Sequence, residues 1–193
     1  MNRPASQSKV ERGAAKAAAS LRVVGLGNPV AGDDSVGLEI VNRLRARGDC
    51  EGELVSLPQA GVGLMDALEN VEAVLFIDAV SSGSPAGTLH LVPLPSGEVA
   101  PRALATLSSH GWGLAETLKL MEALGRAIPR LALLGVELGT VEPGAARSPA
   151  VEAAMETLVE RFPAVYAFLA AAEKTGWAGP LRFPPGDTSL AGL

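Results

Sequence analysis

Residues 73–79 read Ala-Val-Leu-Phe-Ile-Asp-Ala, five consecutive apolar residues followed by an acid and an alanine. An uninterrupted apolar run of this length is typical of a strand that is buried on both faces of a sheet. A second short run, Leu21–Leu26 (LRVVGL), leads into Gly27-Asn28-Pro29, which predicts a strand that ends in a turn. The two runs therefore predict buried strands, and Asp78 lies near the end of one of them.

Helical and strand patterns alternate outward from these two runs. Further strands are predicted at Glu53–Leu57, Thr88–Leu94 and Arg130–Glu137. Helices are predicted at Asp33–Arg47, Leu64–Asn70 and Gly113–Leu124, and from Ser148-Pro149 to about Ala172. Asp33 or Asp34 is predicted to cap the first helix, because a short carboxylate accepts free backbone N–H groups. The alternation predicts an α/β fold with a mainly parallel five-stranded sheet and helices on both faces.

The predicted domain spans residues 21–174 and has a tail on each side. Residues 1–20 are polar and Ala-rich without an apolar stripe, which predicts a flexible N-terminal tail. Residues 175–193 are rich in Pro and Gly, a composition that predicts a tail with neither helix nor strand. A chain of 193 residues is long enough for one sizeable domain of this kind.

The composition excludes several classes of function. The hydrophobic fraction of 48% predicts a packed core, and the net charge of −5 argues against a nucleic-acid partner, which needs a dense basic face. No apolar run approaches the roughly 20 residues that span a bilayer, so no membrane partner is expected. The single cysteine, Cys50, excludes an intramolecular disulfide and fits a reduced, cytoplasmic setting.

Two acids and one histidine lie where three predicted strands or their connections end: Asp34, Asp78 and His110. In α/β sheets of this kind, ligands bind at the carboxyl ends of the strands. Mixed nitrogen and oxygen ligands suit Ni, Zn or Co better than Ca or Mg. The glycines at 25 and 27 are also consistent with a nucleotide loop, but two acids stand where a phosphate would lie. The metal interpretation is therefore favoured.

Other reactive side chains give weaker signals. His90 lies in the alternating stretch Leu89–Val92 and is predicted to face solvent. Cys50 lies in a polar connection, with neither histidine near it in sequence. No Gly-x-Ser-x-Gly elbow is present, and a triad of Asp78, His110 and a preceding serine is disfavoured, because adjacent Ser and His side chains rarely face each other.

Five short segments occur together along the chain. They are Gly25-Leu-Gly-Asn28, Gly32-Asp-Asp34-Ser-Val-Gly37, Ile77-Asp78-Ala79, Ser109-His110-Gly-Trp-Gly-Leu114, and Gly135-Val-Glu-Leu-Gly with Glu142-Pro-Gly144 before Ser148. In this order and at this spacing they resemble the hydrogenase maturation endopeptidase family. The similarity covers residues 21–162, nearly the whole predicted domain.

This resemblance implies a three-layer α/β fold around a twisted sheet and an endopeptidase activity. Such an enzyme removes the C-terminal extension from the nickel-loaded precursor of a [NiFe]-hydrogenase large subunit. The family's metal-contacting positions fall on Asp34, Asp78 and His110, with Asp34 and Asp78 as the catalytic acids and nickel supplied by the precursor. Loops expected to contact the substrate carry Gly27, Asn28, Asp33, Gln59 and Gly61. We expect a monomer.

Two mechanisms use these same residues. Nickel held jointly by substrate cysteines, Asp34, Asp78 and His110 polarises the scissile carbonyl or a water. Alternatively, Asp34 and Asp78 share a proton as an aspartic-type pair, with one as general base. The chain departs from the family at two places: many members have Glu at the position of Asp34, and many carry an Asp in the segment where this chain has Gln59.

Two other functions compete with the endopeptidase. Peptidyl-tRNA hydrolase also opens with a motif like Val-Gly-Leu-Gly-Asn-Pro, but it needs a histidine soon afterwards, where this chain has Asp33-Asp34. Its basic RNA-facing surface also conflicts with a net charge of −5. The non-catalytic alternative is a chaperone that checks nickel in the large subunit without cutting it.

Overall fold

The computed structural model describes residues 21–58, 62–94, 111–139, 141–175 and 179–187. The strands are β1 (Leu21–Leu26), β2 (Glu53–Leu57), β3 (Ala73–Val80), β4 (Leu89–Leu94), β5 (Arg130–Glu137) and β6 (Leu181–Phe183). The α-helices are α1 (Val36–Arg47), α2 (Val62–Leu68), α3 (Gly111–Ala123) and α4 (Pro149–Thr175), and a 3-10 turn at Gly32–Ser35 precedes α1. The N-terminal tail predicted at residues 1–20 lies outside the described residues.

Within the described residues, the sheet has six strands in the order β2-β1-β3-β5-β4-β6. The first four strands of that order are parallel, whereas β4 runs antiparallel to both β5 and β6. The prediction of an α/β fold with a mainly parallel sheet is confirmed, but the count of five strands is wrong. The connection at 81–88 explains the antiparallel β4, because it is too short for the crossover that a parallel neighbour requires.

The sixth strand corrects the expectation that the Pro/Gly-rich end of the chain holds no strand. Leu181–Phe183 lies between Pro180 and Pro184 and pairs with β4 through three residues. The Phe183 side chain is buried and joins the core on one face of the sheet. Burial of an aromatic side chain and pairing with an otherwise open edge therefore outweigh the unfavourable local composition.

Two hydrophobic cores lie on opposite faces of the sheet and create three layers. On one face, α1 and α4 pack against residues such as Ile77 and Leu134. On the other face, α2 and α3 pack against Phe76 and Leu133. The expectation of helices on both faces, in three layers, is confirmed. None of the helices within the described ranges is long and apolar enough to cross a membrane.

The beginning of α1 lies unusually close to two strands. A Cβ atom added at Gly37 would overlap the carbonyl oxygens of Leu26 in β1 and Ile77 in β3. Only glycine leaves room for this contact, so the start of the helix is fixed against the carboxyl ends of both strands. The N-cap of α1 is Ser35, without a side-chain capping bond. The prediction that Asp33 or Asp34 caps this helix is therefore wrong.

Candidate active site

The strand order places a crevice between β1 and β3. After β1 the chain enters α1 on one face of the sheet, and after β2 it returns to β3 through α2 on the other face. Such a reversal of strand order opens a crevice at the carboxyl ends of the two central strands, where ligands of α/β proteins bind. Asp34 follows β1 and Asp78 lies near the end of β3, so the topology places both acids at this crevice.

Asp34 is held by backbone contacts within the turn after β1. Its amide donates to the carbonyl oxygen of Ala31 at 2.9 Å, and its carbonyl oxygen accepts from the Asn28 amide at 3.0 Å. Gly27 has a φ of 151°, a conformation that favours glycine, and a Cβ atom added there would overlap the Asp34 carbonyl oxygen. The Asp34 side chain is partly exposed. Gly27 and Asn28, predicted as substrate-contacting residues, therefore shape the turn that carries Asp34.

Asp78 is fully buried at 0% exposure, although its carboxylate is among the most strongly hydrated side chains. The Ala79 amide donates to its Oδ1 at 2.9 Å. The preceding residue, Ile77, contacts Gly37 at the start of α1, directly after the turn that carries Asp34. The elements that carry the two predicted catalytic acids therefore pack against each other.

Three of the predicted site residues, Gln59, Gly61 and His110, lie outside the described residues. His110 directly precedes α3, which begins at Gly111. In the part of the chain that the structure describes, no three His, Cys, Asp or Glu side chains form a group that could hold a metal ion. The three-ligand set of Asp34, Asp78 and His110 therefore stays a prediction.

Asp33 is a buried clamp, a role that the sequence does not reveal. At 0% exposure, its Oδ1 accepts from the Ser148 amide at 2.6 Å and its Oδ2 accepts from the Gly139 amide at 2.8 Å. These donors lie 115 and 106 residues away along the chain, after β5 and before α4. The carboxylate therefore fixes the turn of Asp34 to the β5–α4 connection.

We expect Asp33→Asn to lower the free energy of unfolding by about 3 kcal/mol, because an amide cannot accept from both backbone donors. Urea unfolding measures this change. Asp49→Asn is the matched control, since Asp49 is exposed and pairs with Arg47 on the surface. That control should shift the free energy by less than about 0.5 kcal/mol. An equal shift in both variants would contradict the clamp.

A second buried carboxylate, Glu137, closes the end of β5 at 2% exposure. It accepts hydrogen bonds from the residues of the Ser82–Gly83 turn after β3 and shares a 3.0 Å contact with His90 Nε2. His90 is only 8% exposed, so the prediction that it faces solvent is wrong. Its side chain points to the sheet face opposite Leu89 and Leu91, and that face is also covered.

The ionisation states of this pair follow from burial and hydrogen bonding. Burial lowers the pKa of the His90 imidazole, and the bond to Glu137 opposes this only in part. Burial by itself raises the pKa of Glu137, but the donors of the Ser82–Gly83 turn and His90 outweigh it and hold the net pKa below its ordinary range. At neutral pH, Glu137 is therefore ionised, and a neutral His90 donates to it from Nε2.

A cleft of about 600 Å³ opens beside the Asp34 turn. Arg147 forms part of its wall, donating from Nη1 to Ser35 Oγ and from Nε to Glu152 Oε2, both at 3.0 Å. The other lining residues are small or apolar for the most part: Pro29, Val30, Gly32, Gly144, Ala145 and Ala146. The cleft therefore offers room for a peptide segment next to the crevice.

A family model described as hydrogenase maturation protease (HycI) matches residues 38–164, about two thirds of the chain. The chain belongs to the hydrogenase maturation protease family. It is 31% identical over 142 residues to the hydrogenase 2 maturation protease of Escherichia coli strain K12, which covers 72% of this chain and 85% of that relative. The family resemblance expected from the sequence motifs is thus confirmed.

Solved structures of maturation proteases share the fold. The hydrogenase maturating endopeptidase HybD from E. coli superposes with a TM-score of 0.62 at 27% identity, covering 86% of this chain and 98% of that chain. The [NiFe] hydrogenase maturation protease HybD from Thermococcus kodakarensis gives a TM-score of 0.57 at 26% identity, covering 78% and 98%. The described fold is therefore that of this protease family.

Cys50 offers this protease no activated thiol. It lies in the connection before β2, at the amino edge of the sheet, whereas Asp78 lies towards the carboxyl edge. Its side chain packs partly against the core, and burial raises the pKa of its thiol, which disfavours the nucleophilic thiolate.

We expect Cys50→Ser to cleave its substrate at the rate of the native protein, within about twofold, because Cys50 lies at the edge of the sheet away from the crevice. The rate of precursor processing measures this. Complete loss of cleavage in a variant with a native circular dichroism spectrum would reinstate a thiol mechanism.

Proposed function

We propose that this hydrogenase maturation protease removes the C-terminal extension from the nickel-loaded precursor of a [NiFe]-hydrogenase large subunit. The observation that carries the proposal is Asp78, a fully buried carboxylate at the carboxyl end of β3, packed beside the turn of Asp34. Membership of the family supports the same activity.

The proposed reaction is hydrolysis of one peptide bond. A water oxygen attacks the scissile carbonyl carbon, the C–N bond breaks, and the leaving amine takes up a proton. Asp34 and Asp78 are the reactive carboxylates in both mechanisms considered. In the first, they contact the nickel that the precursor carries, together with His110, and the ion polarises the carbonyl or the water. In the second, one carboxylate is the general base and the other holds a proton.

The cleft beside the Asp34 turn supports an extended peptide as substrate. Its lining is small or apolar for the most part, and it shares Gly32 and Ser35 with the turn that carries Asp34. A segment bound there would place the neighbouring peptide bond at the crevice between β1 and β3. We propose that nickel arrives with the substrate, and that the protein acts as a monomer in the cytoplasm.

The family membership favours this activity over peptidyl-tRNA hydrolysis. The chaperone alternative keeps the same partner but cuts no bond. Incubation of the purified protein with nickel-loaded precursor distinguishes the protease from the chaperone, and mass spectrometry reports loss of the C-terminal peptide. Cleavage of one bond supports the protease, and stable binding without cleavage supports the chaperone. A variant with Asn at positions 34 and 78 is the control for a contaminating protease.

A further inference from the structure

The buried pair of Glu137 and His90 lies on the same sheet face as Asp78. In the register of β3 and β5, Asp78 is opposite Gly135 and Val80 is opposite Glu137. Side chains two residues apart on a strand share a face, so Glu137 lies one such step beyond Asp78 on the neighbouring strand. On the other side of β5, His90 is also opposite Gly135. The pair therefore lies next to the strand end that carries a proposed catalytic acid.

Within the described residues, the Glu137 carboxylate accepts four hydrogen bonds, three from the turn after β3 and one from β4. Oε1 accepts from the Ser82 amide at 2.7 Å and from the Gly83 amide at 2.9 Å. Oε2 accepts from Ser82 Oγ at 2.7 Å and from His90 Nε2 at 3.0 Å. Ser82 and Gly83 themselves are exposed. The buried Glu137 carboxylate thus holds the exposed Ser82–Gly83 turn in place by hydrogen bonds.

Backbone bonds close the rest of this connection onto the same strand end. The Leu138 amide donates to the Val80 carbonyl at 3.0 Å, where β3 ends. The Glu137 amide donates to the Thr88 carbonyl, and the Gly87 amide donates to the Glu137 carbonyl, both at 2.8 Å. The connection at 81–88 is therefore tied to the end of β5 at both of its ends.

We propose that Glu137 and His90 form a positioning pair for the protease, which fixes the Ser82–Gly83 turn and so holds the end of β3 in the geometry that cleavage at Asp78 requires. The inference rests on the proposed function. A buried hydrogen-bonded carboxylate seldom increases stability beyond what an apolar replacement gives, and what it gains instead is a single defined geometry. Misplacement of a catalytic group by about 1 Å can reduce a rate a hundredfold.

Glu137→Gln tests the pair, with Arg22→Gln as the matched control. Arg22 is a largely buried charge at the opposite edge of the sheet, where it binds Glu53 and the carbonyl oxygens that end α2. Both variants should unfold at lower urea concentration. Only Glu137→Gln should lower kcat for precursor cleavage, by about tenfold, with KM within about twofold, at a temperature where both variants are folded.

His90 provides a second pair of variants should Glu137→Gln fail to fold. The His90→Gln amide can still donate to Glu137, so it should keep kcat within about threefold of native, whereas His90→Phe should lose about tenfold. Native kcat in Glu137→Gln or His90→Phe would overturn the inference. So would an equal loss of kcat in Arg22→Gln, because that would make the effect one of general stability.

The experiment also separates this inference from the proposed function. If the native protein cleaves no precursor, the proposed function fails, and amide hydrogen exchange of residues 81–84 then decides whether the pair holds the turn. Faster exchange there in Glu137→Gln than in Arg22→Gln supports the positioning pair. Equal exchange in the two variants overturns it.

Discussion

Asp34→Asn and Asp78→Asn are each expected to reduce cleavage of the nickel-loaded precursor by about a thousandfold, within the usual range for loss of a general acid or base. Asparagine has nearly the same shape, but it can neither take up a proton nor carry the negative charge with which an aspartate attracts a metal cation. Both proposed mechanisms therefore fail in these variants. Single-turnover rates, measured by mass spectrometry of the released peptide, give the loss directly.

The structure provides controls for this expectation. In Asp78→Asn, the Oδ1 atom can still accept from the Ala79 amide, so the fold should persist. Asp66→Asn removes an exposed carboxylate from α2 and should leave the rate unchanged. Native rates in both Asp34→Asn and Asp78→Asn would remove these residues from the mechanism and point to another site.

Metal-free precursor is expected to resist the native protein, whereas nickel-loaded precursor is cleaved. Asp34, Asp78 and His110 would supply three ligands, which leaves coordination positions for thiolates of the substrate. A carboxylate and imidazole set binds nickel more weakly than thiolates do, so the purified protein should carry little metal. Parallel incubations with the two forms of precursor, followed by quantification of the C-terminal peptide, measure the dependence.

His110→Ala provides the matched variant for the metal experiment. It should strongly reduce the rate at which nickel-loaded precursor is cleaved, because one neutral ligand is lost. Cys50→Ser, which changes a thiol at the other edge of the sheet, serves as its control. Equal cleavage of metal-free and nickel-loaded precursor by the native protein would show that Asp34, Asp78 and His110 do not distinguish the two forms of the precursor. The aspartic-type pair would then be the better mechanism.

The buried strands and the position of Asp78 could be predicted because their signals are local. The apolar run at 73–77 is long enough to indicate burial on both faces, and the acid beside it is visible in the sequence. The strand Leu181–Phe183 could not be predicted in this way, since prolines flank it and its stability comes from pairing with β4 and from burial of Phe183. Such contacts have no local signature.

His90 and Asp33 show two further limits of local patterns. Alternation in β4 correctly places His90 on the face opposite Leu91, but it cannot show whether that second face is covered. Asp33 matches the local pattern of a helix cap. Its actual partners, the Gly139 and Ser148 amides, lie more than 100 residues away along the chain, so no local pattern reveals them. The strand pattern and the family resemblance both indicate Asp34, Asp78 and His110 as candidates, but neither reveals the carboxylates that hold the surrounding loops.

The bond between Asp33 and the Ser148 amide has an electrostatic consequence. Ser148 directly precedes α4, so the positive end of that helix dipole points at the Asp33 carboxylate. Each helix end stabilises a nearby carboxylate by roughly 0.3–1 kcal/mol. The start of α4 thus offsets part of the repulsion between Asp33 and its neighbour Asp34, and the fold can concentrate negative charge where a cation-bearing substrate would bind.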